Sequence, residues 1–120
     1  MASQYSMDEC NSKNHLCKLP EVSDTGKEVN LKTEKGIEWF MLFMRDGELT
    51  AWRNVCPHQG RSLNWAPDKF LFSKSGHLVC CHHGASFDLS DGVCVDGPCK
   101  GAALTAVPVI IEDEQVFLSK

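Results

Sequence analysis

Polar and apolar residues along this chain alternate mostly with the period of a strand. Residues 28–32 place Val29 and Leu31 on one face and polar side chains on the other. Residues 37–44 are mostly apolar and rich in aromatics, too short for a typical helix. They end at Asp46-Gly47, a dipeptide suited to a tight hairpin turn. Leu49, Ala51, Arg53 and Val55 then alternate with Thr50, Trp52 and Asn54, as a returning strand should. Residues 70–72 and 77–80 flank Ser75-Gly76 and predict a second hairpin. Val107, Val109 and Ile111 alternate up to a turn at Asp113-Glu114, and residues 116–118 close the chain. No segment carries sustained helical periodicity with caps, and no repeat is present. The pattern predicts a mainly β protein of short strands joined by turns.

Composition narrows the class. At 120 residues the chain is one domain with one ordinary core, and 42% apolar with 23% charged residues is the mix of a folded protein. The polar, aperiodic residues 1–14 read as a flexible tail, leaving 15–120 as the domain. A formal charge of −4 with no basic stripe argues weakly against a nucleic-acid partner. The longest apolar run, residues 39–44, is six residues, far short of a membrane span. Residues 1–11 have neither a basic nor an apolar stretch of the signal-peptide kind, so a reducing, cytoplasmic location is expected. Seven cysteines in such a compartment point to metal or redox chemistry rather than to a disulfide framework.

Two segments concentrate that chemistry. Cys56-Pro57-His58-Gln59-Gly60 and Cys80-Cys81-His82-His83-Gly84 each supply a thiolate and an imidazole within a few residues, after a strand and before a glycine. Two Cys and two His also make a structural zinc site, but zinc spacing usually groups like with like. One of each per arm suits a binuclear cluster with sulfur ligands on one iron and imidazoles on the other. On spacing alone both readings stand, with the cluster ahead.

The flanking residues carry a resemblance. Cys56-Pro57-His58-Gln59-Gly60-Arg61-Ser62-Leu63, Cys80-Cys81-His82-His83-Gly84-Ala85-Ser86-Phe87-Asp88, Gly92 and Gly97-Pro98 resemble the two cluster-binding boxes and the proline loop of the Rieske family. The resemblance runs from about residue 16 to 118. It implies an antiparallel β-sandwich core with a small cluster-binding subdomain over about residues 54–99. It also implies one 2Fe–2S cluster, with Cys56 and Cys80 on one iron and His58 and His83 on the other. The chain departs from the family in three ways. The 21 residues from 59 to 79 exceed the usual spacing between boxes, and the excess is assigned to the region of residues 70–76. Cys81 stands where proline is usual, and His82 where tryptophan is frequent. Cys81 and His82 are set aside as ligands because only Cys80 and His83 keep the two-residue gap and the following Gly84. Arg61 occupies the position of a cysteine that forms a loop-bridging disulfide in high-potential relatives, so no such bridge is expected.

The resemblance also implies a function. After His83 there are 37 residues and no further histidine, too few for the mononuclear-iron domain of a self-contained oxygenase. The likeness therefore points to a soluble, monomeric one-electron carrier without a substrate site of its own. It would pass electrons from a reductase to an oxygenase, docking near His58 and His83. The alternatives are the Rieske-like small subunit of a nitrite reductase and, from another class, a structural zinc-binding interaction module. High-potential relatives donate hydrogen bonds to the cluster sulfurs from hydroxyls at the positions of Ala85 and Phe87. Here neither residue has one, which implies a low potential for the class. Among the remaining residues, His15 and His77 are expected in solvent, and Cys10 and Cys17 are incidental. Cys94 and Cys99 are expected to stay unpaired in a reducing compartment, and Trp39, Trp52 and Trp65 to serve in packing. Asp8, Glu9, Glu112, Asp113 and Glu114 are read as solvated surface.

Overall fold

The computed structural model describes residues 14–57, 62–81, 84–97 and 100–119. Among the described residues the strands run in the order β1 (His15–Lys18), β2 (Lys27–Thr33), β3 (Gly36–Arg45), β4 (Glu48–Arg53), β5 (Leu71–Phe72), β6 (Leu78–Val79), β7 (Ser86–Phe87), β8 (Cys94–Asp96), β9 (Val109–Glu112) and β10 (Gln115–Leu118). A 3₁₀ turn, Leu19–Glu21, follows β1, and no α-helix occurs among the described residues. The strands form three antiparallel sheets ordered β1-β10-β9, β2-β3-β4 and β5-β6-β7-β8. No helix there is long and apolar enough to cross a membrane.

The long apolar run lies on β3, and the packing explains why it does not alternate. Phe40 and Leu42 face one core, with Leu16, Cys17, Val29, Ala51 and Val116. Met41 and Phe43 face the other, with Trp52, Phe70, Leu78 and Phe87. A strand buried on both faces needs apolar side chains at every position. The first core is the filling of a β-sandwich between the β2-β3-β4 and β1-β10-β9 sheets. The second is roofed by the β5–β8 sheet and its loops. The β3–β4 hairpin closes at Asp46-Gly47, both at positive φ (52° and 78°). That is the turn sense that matches strand twist, and it keeps Arg45 opposite Glu48.

The hairpins predicted at 37–55 and 70–80 are present, as is the turn expected between 107–111 and 116–118, and the strands expected at 28–32 and 37–44 pair with each other as a further hairpin. Strands β1, β7 and β8 were not anticipated, being two to four residues long and without clear alternation. The expected tail lies outside the described residues except for Asn14, which is buried. His15 differs from the solvated residue expected. Pairing of β1 with β10 sets it edge-on to Phe117, with ring centroids 5.3 Å apart, and its Nε2 lies 2.7 Å from Gln115 Oε1. Cys17 fills the sandwich core, where burial pushes its thiol up to about 11.

Candidate metal centre

The two cysteines proposed as ligands arrive from different directions in the same core. Cys56 follows the end of β4, and Cys80 follows β6. Both are nearly fully buried, within the cluster that holds Phe43, Trp52, Leu63, Ala85, Phe87 and Cys94. The second box is a tight loop between β6 and β7. The Cys80 N–H donates to the Ala85 carbonyl at 2.7 Å, and the Gly84 N–H donates to the Cys80 carbonyl at 3.0 Å. Ala85 and Phe87 are fully buried beside the cysteines while Ser86 between them is half-buried. The alternation turns the one hydroxyl of this segment away from the core that its neighbours share.

The segment that follows β8 closes over this loop. Gly97 has φ of +100°, and a Cβ there would lie 2.7 Å from the Ala85 Cα. Only glycine allows the backbone to come so near. Cys94 is buried in the same core, and its thiol donates to the Asp96 carbonyl at 3.2 Å. His58, Gln59, Gly60, Arg61, His82, His83, Pro98 and Cys99 lie outside the described residues, as does Cys10. Among the described residues no group of three or more potential metal ligands assembles.

A polar network that the sequence reading did not single out borders the first box. Asn54 and Asn64 are both buried. The Leu63 N–H donates to Asn54 Oδ1 at 2.8 Å, and Asn54 Nδ2 donates to Asn64 Oδ1 at 2.8 Å. Asn54 Nδ2 also lies 3.3 Å from Glu28 Oε2 on β2, and the Asn54 N–H donates to the Trp39 carbonyl at 2.9 Å. Asn64 Nδ2 donates to the Ala66 carbonyl at 2.9 Å, and the Cys81 thiol, raised in pKa chiefly by burial, lies 3.4 Å from the Asn64 carbonyl. The available signal was position: a carboxamide two residues before Cys56 stands where the strand pattern gives way to the box. Trp52 packs in the core as expected. Trp39 and Trp65 do not: they are 44% and 59% exposed and, with Ile37 and Val55, line an open groove beside the first box. His77 is half-buried, and Glu112, Asp113 and Glu114 are exposed as expected.

Residues 12–110 match the family described as "Rieske [2Fe-2S] domain". The chain belongs to the Rieske family. Two buried thiols in one apolar core are the soft sulfur donors that the sulfur-ligated iron of such a cluster requires, so this Rieske domain fits one 2Fe–2S cluster. No curated protein matches the chain. Among solved structures, it is similar to a ferredoxin of Sphingomonas yanoikuyae B1, with 28% identity over 91% of this chain and 99% of that one, at a TM-score of 0.65. The ferredoxin of carbazole 1,9a-dioxygenase from Nocardioides aromaticivorans IC177 is 17% identical over 88% of this chain and 94% of its own, with a TM-score of 0.68. The terminal oxygenase of carbazole 1,9a-dioxygenase from Novosphingobium sp. KA1 is 28% identical over 88% of this chain but only 30% of the oxygenase, with a TM-score of 0.66.

Proposed function

We propose that this Rieske domain is a one-electron carrier that takes electrons from a reductase and delivers them to a terminal oxygenase. The observation that carries the reading is the burial of Cys56 and Cys80 in one core, at the ends of two loops of a fold matched along the full length of a ferredoxin. The match to an oxygenase over under a third of its length supports a domain that exchanges electrons rather than one that transforms a substrate. Cys56 and Cys80 would hold one iron, and His58 and His83 the other. The bound cluster supplies a one-electron couple. The protein's own part is to hold the thiolates away from water and to fix the two loops. Partners would dock at the edge formed by His58 and His83, within a cluster-binding subdomain of about residues 54–99.

Freshly purified protein should contain about two irons and two labile sulfides per chain, following from the ligand set. One zinc and no iron would overturn the Rieske assignment. Cys80→Ala and His83→Ala should abolish the visible spectrum, whereas Cys81→Ala and His82→Ala should retain it. Loss with Cys81→Ala and retention with Cys80→Ala would move the second box by one residue. Chemically reduced protein mixed with an oxygenase that accepts Rieske ferredoxins should be reoxidised by one electron per chain. Failure across several such oxygenases, with the cluster intact, would favour a fixed subunit of a larger reductase.

A further inference from the structure

The two cluster loops need a fixed separation, yet no disulfide is expected to join them. Their connection runs instead through two buried carboxamides. Asn54, at the entry of the first loop, receives the Leu63 N–H from its exit at 2.8 Å, so one side chain closes the loop across its base. The same side chain donates to Asn64 at 2.8 Å, and the Asn64 backbone carbonyl faces the Cys81 thiol of the second loop at 3.4 Å. The Trp39 carbonyl, held by the Asn54 N–H at 2.9 Å, anchors the assembly to β3, the strand shared by both cores. Asn54 is 2% exposed and Asn64 8%, so each lost partner would leave a desolvated polar group. Such a network is rigid when every member is satisfied.

We propose that Asn54 and Asn64 are positioning residues, a hydrogen-bonded clasp that sets the spacing of the two cluster loops in place of a covalent bridge. The inference rests on the assignment of Cys56 and Cys80 as ligands. Asn54 closes the first loop, and Asn64 passes its position on to the second. The two act as one unit, because Asn54 Nδ2 donates to Asn64 Oδ1 and the Asn64 carbonyl in turn meets the Cys81 thiol, a continuous path from the β4 end to the second loop.

The test uses the cluster-loaded full chain and the variants Asn54→Ala, Asn64→Ala and their double. Iron and sulfide content of the parent protein comes first, since a parent without a cluster defeats the ligand assignment and not the clasp. With the parent loaded, each single variant should lose its cluster to a chelator about tenfold faster, the size seen when supports of metal ligands are removed. Each should also broaden or shift the electron paramagnetic resonance g-values of the reduced state. The double variant should be no worse than about twice the poorer single, because coupled partners are not additive. Val29→Ala, in the sandwich core, supplies a control of comparable thermal destabilisation. If it changes g-values and cluster lifetime as much as Asn54→Ala does, the clasp is only a general stabiliser. If alanine variants fail to fold, Asn54→Asp replaces them, as it keeps the acceptor for Leu63 but has no N–H for Asn64. Unchanged g-values and lifetime in a folded Asn54→Asp, or strictly multiplicative effects in the double variant, would overturn the proposal.

Discussion

The sheet of β2, β3 and β4 and the sheet of β5 to β8 sit on opposite sides of the same core and are built in opposite ways. The first has strands of seven, ten and six residues in unbroken register. The second has strands of two, two, two and three residues, with a register shift between β7 and β8. A long ladder supports itself, whereas ladders of two residues add little and depend on what they cover. In the second sheet the turns share the load: Ser73 N–H to the His77 carbonyl, Asp88 N–H to the Val93 carbonyl and Gly92 N–H to the Asp88 carbonyl, at 2.9, 3.0 and 2.6 Å. A frame that is rigid on one side and assembled from turns on the other leaves the cluster as a structural member of its own region.

The largest expected effect follows from that asymmetry. Stripping the cluster should strongly reduce amide protection in β5 to β8 while β2 to β4 keep theirs, because free energies of local opening differ between such units. Hydrogen exchange of loaded and stripped protein reads the difference directly. Equal loss of protection in both sheets would show that they open as one cooperative unit.

Truncations on the two faces of β3 should affect the two regions differently. Phe43 meets Phe70 and Phe72 edge-on, with centroids 5.2 and 6.0 Å apart, on the side of the cysteines. Phe40 fills the sandwich. Each change to Ala should cost about 3–5 kcal/mol of unfolding free energy, the usual range for a buried phenylalanine. Only Phe43→Ala should also speed cluster loss. Equal loss rates in both variants, measured by bleaching at a temperature where both are folded, would mean that β3 transmits disturbance between its faces.

A smaller effect concerns the potential of the cluster. Ala85 and Phe87 fill the core beside the cysteines without a hydroxyl, and Ser86 is only half-buried. The midpoint should lie in the lower half of the roughly −150 to +300 mV Rieske range. Ala85→Ser and Phe87→Tyr should each raise it, since a donor to sulfur stabilises the added charge. Voltammetry giving a midpoint above about +150 mV would reveal another donor.

The fold was legible where a strand was long enough for its pattern to show, and the turn at Asp46-Gly47 where its chemistry is specific. Strands β7 and β8 were not, because two or three residues carry no period and their pairing is imposed by the loops they join. Cys56 and Cys80 were singled out as candidate ligands by their motifs, and the fold buries both in one core, whereas Asn54 and Asn64 could not be tied to them. Their partners come from β2, from β3 and from Cys81, contacts that only the folded chain brings together. The same holds for Trp39. It belongs to an apolar run that is buried on both faces from Phe40 to Phe43, but it lies nearer the strand end and opens to solvent.

The smallest expected effect tests the self-supporting side alone. Glu38 on β3 is held below the usual carboxylate range, first by the Thr33 hydroxyl, which donates to it at 2.8 Å, and then by Arg53 on β4. A carboxyl whose folded pKa is depressed contributes stability above its unfolded value of about 4.3, and that contribution disappears as pH falls through the lower folded value. The pair is partly exposed, so solvent screens it and its worth should stay below about 1 kcal/mol. The melting temperature of the parent should therefore exceed that of Glu38→Gln slightly at pH 6. The gap should shrink as pH is lowered below 4.3 toward 3. Cluster lifetime should be the same in both proteins across this window, since Glu38 braces the sheet that stands without help. A gap that widens on acidification would assign the depressed titration to the unfolded chain instead, and a change in cluster lifetime would mean that the long ladder and the short one are coupled through β3 after all.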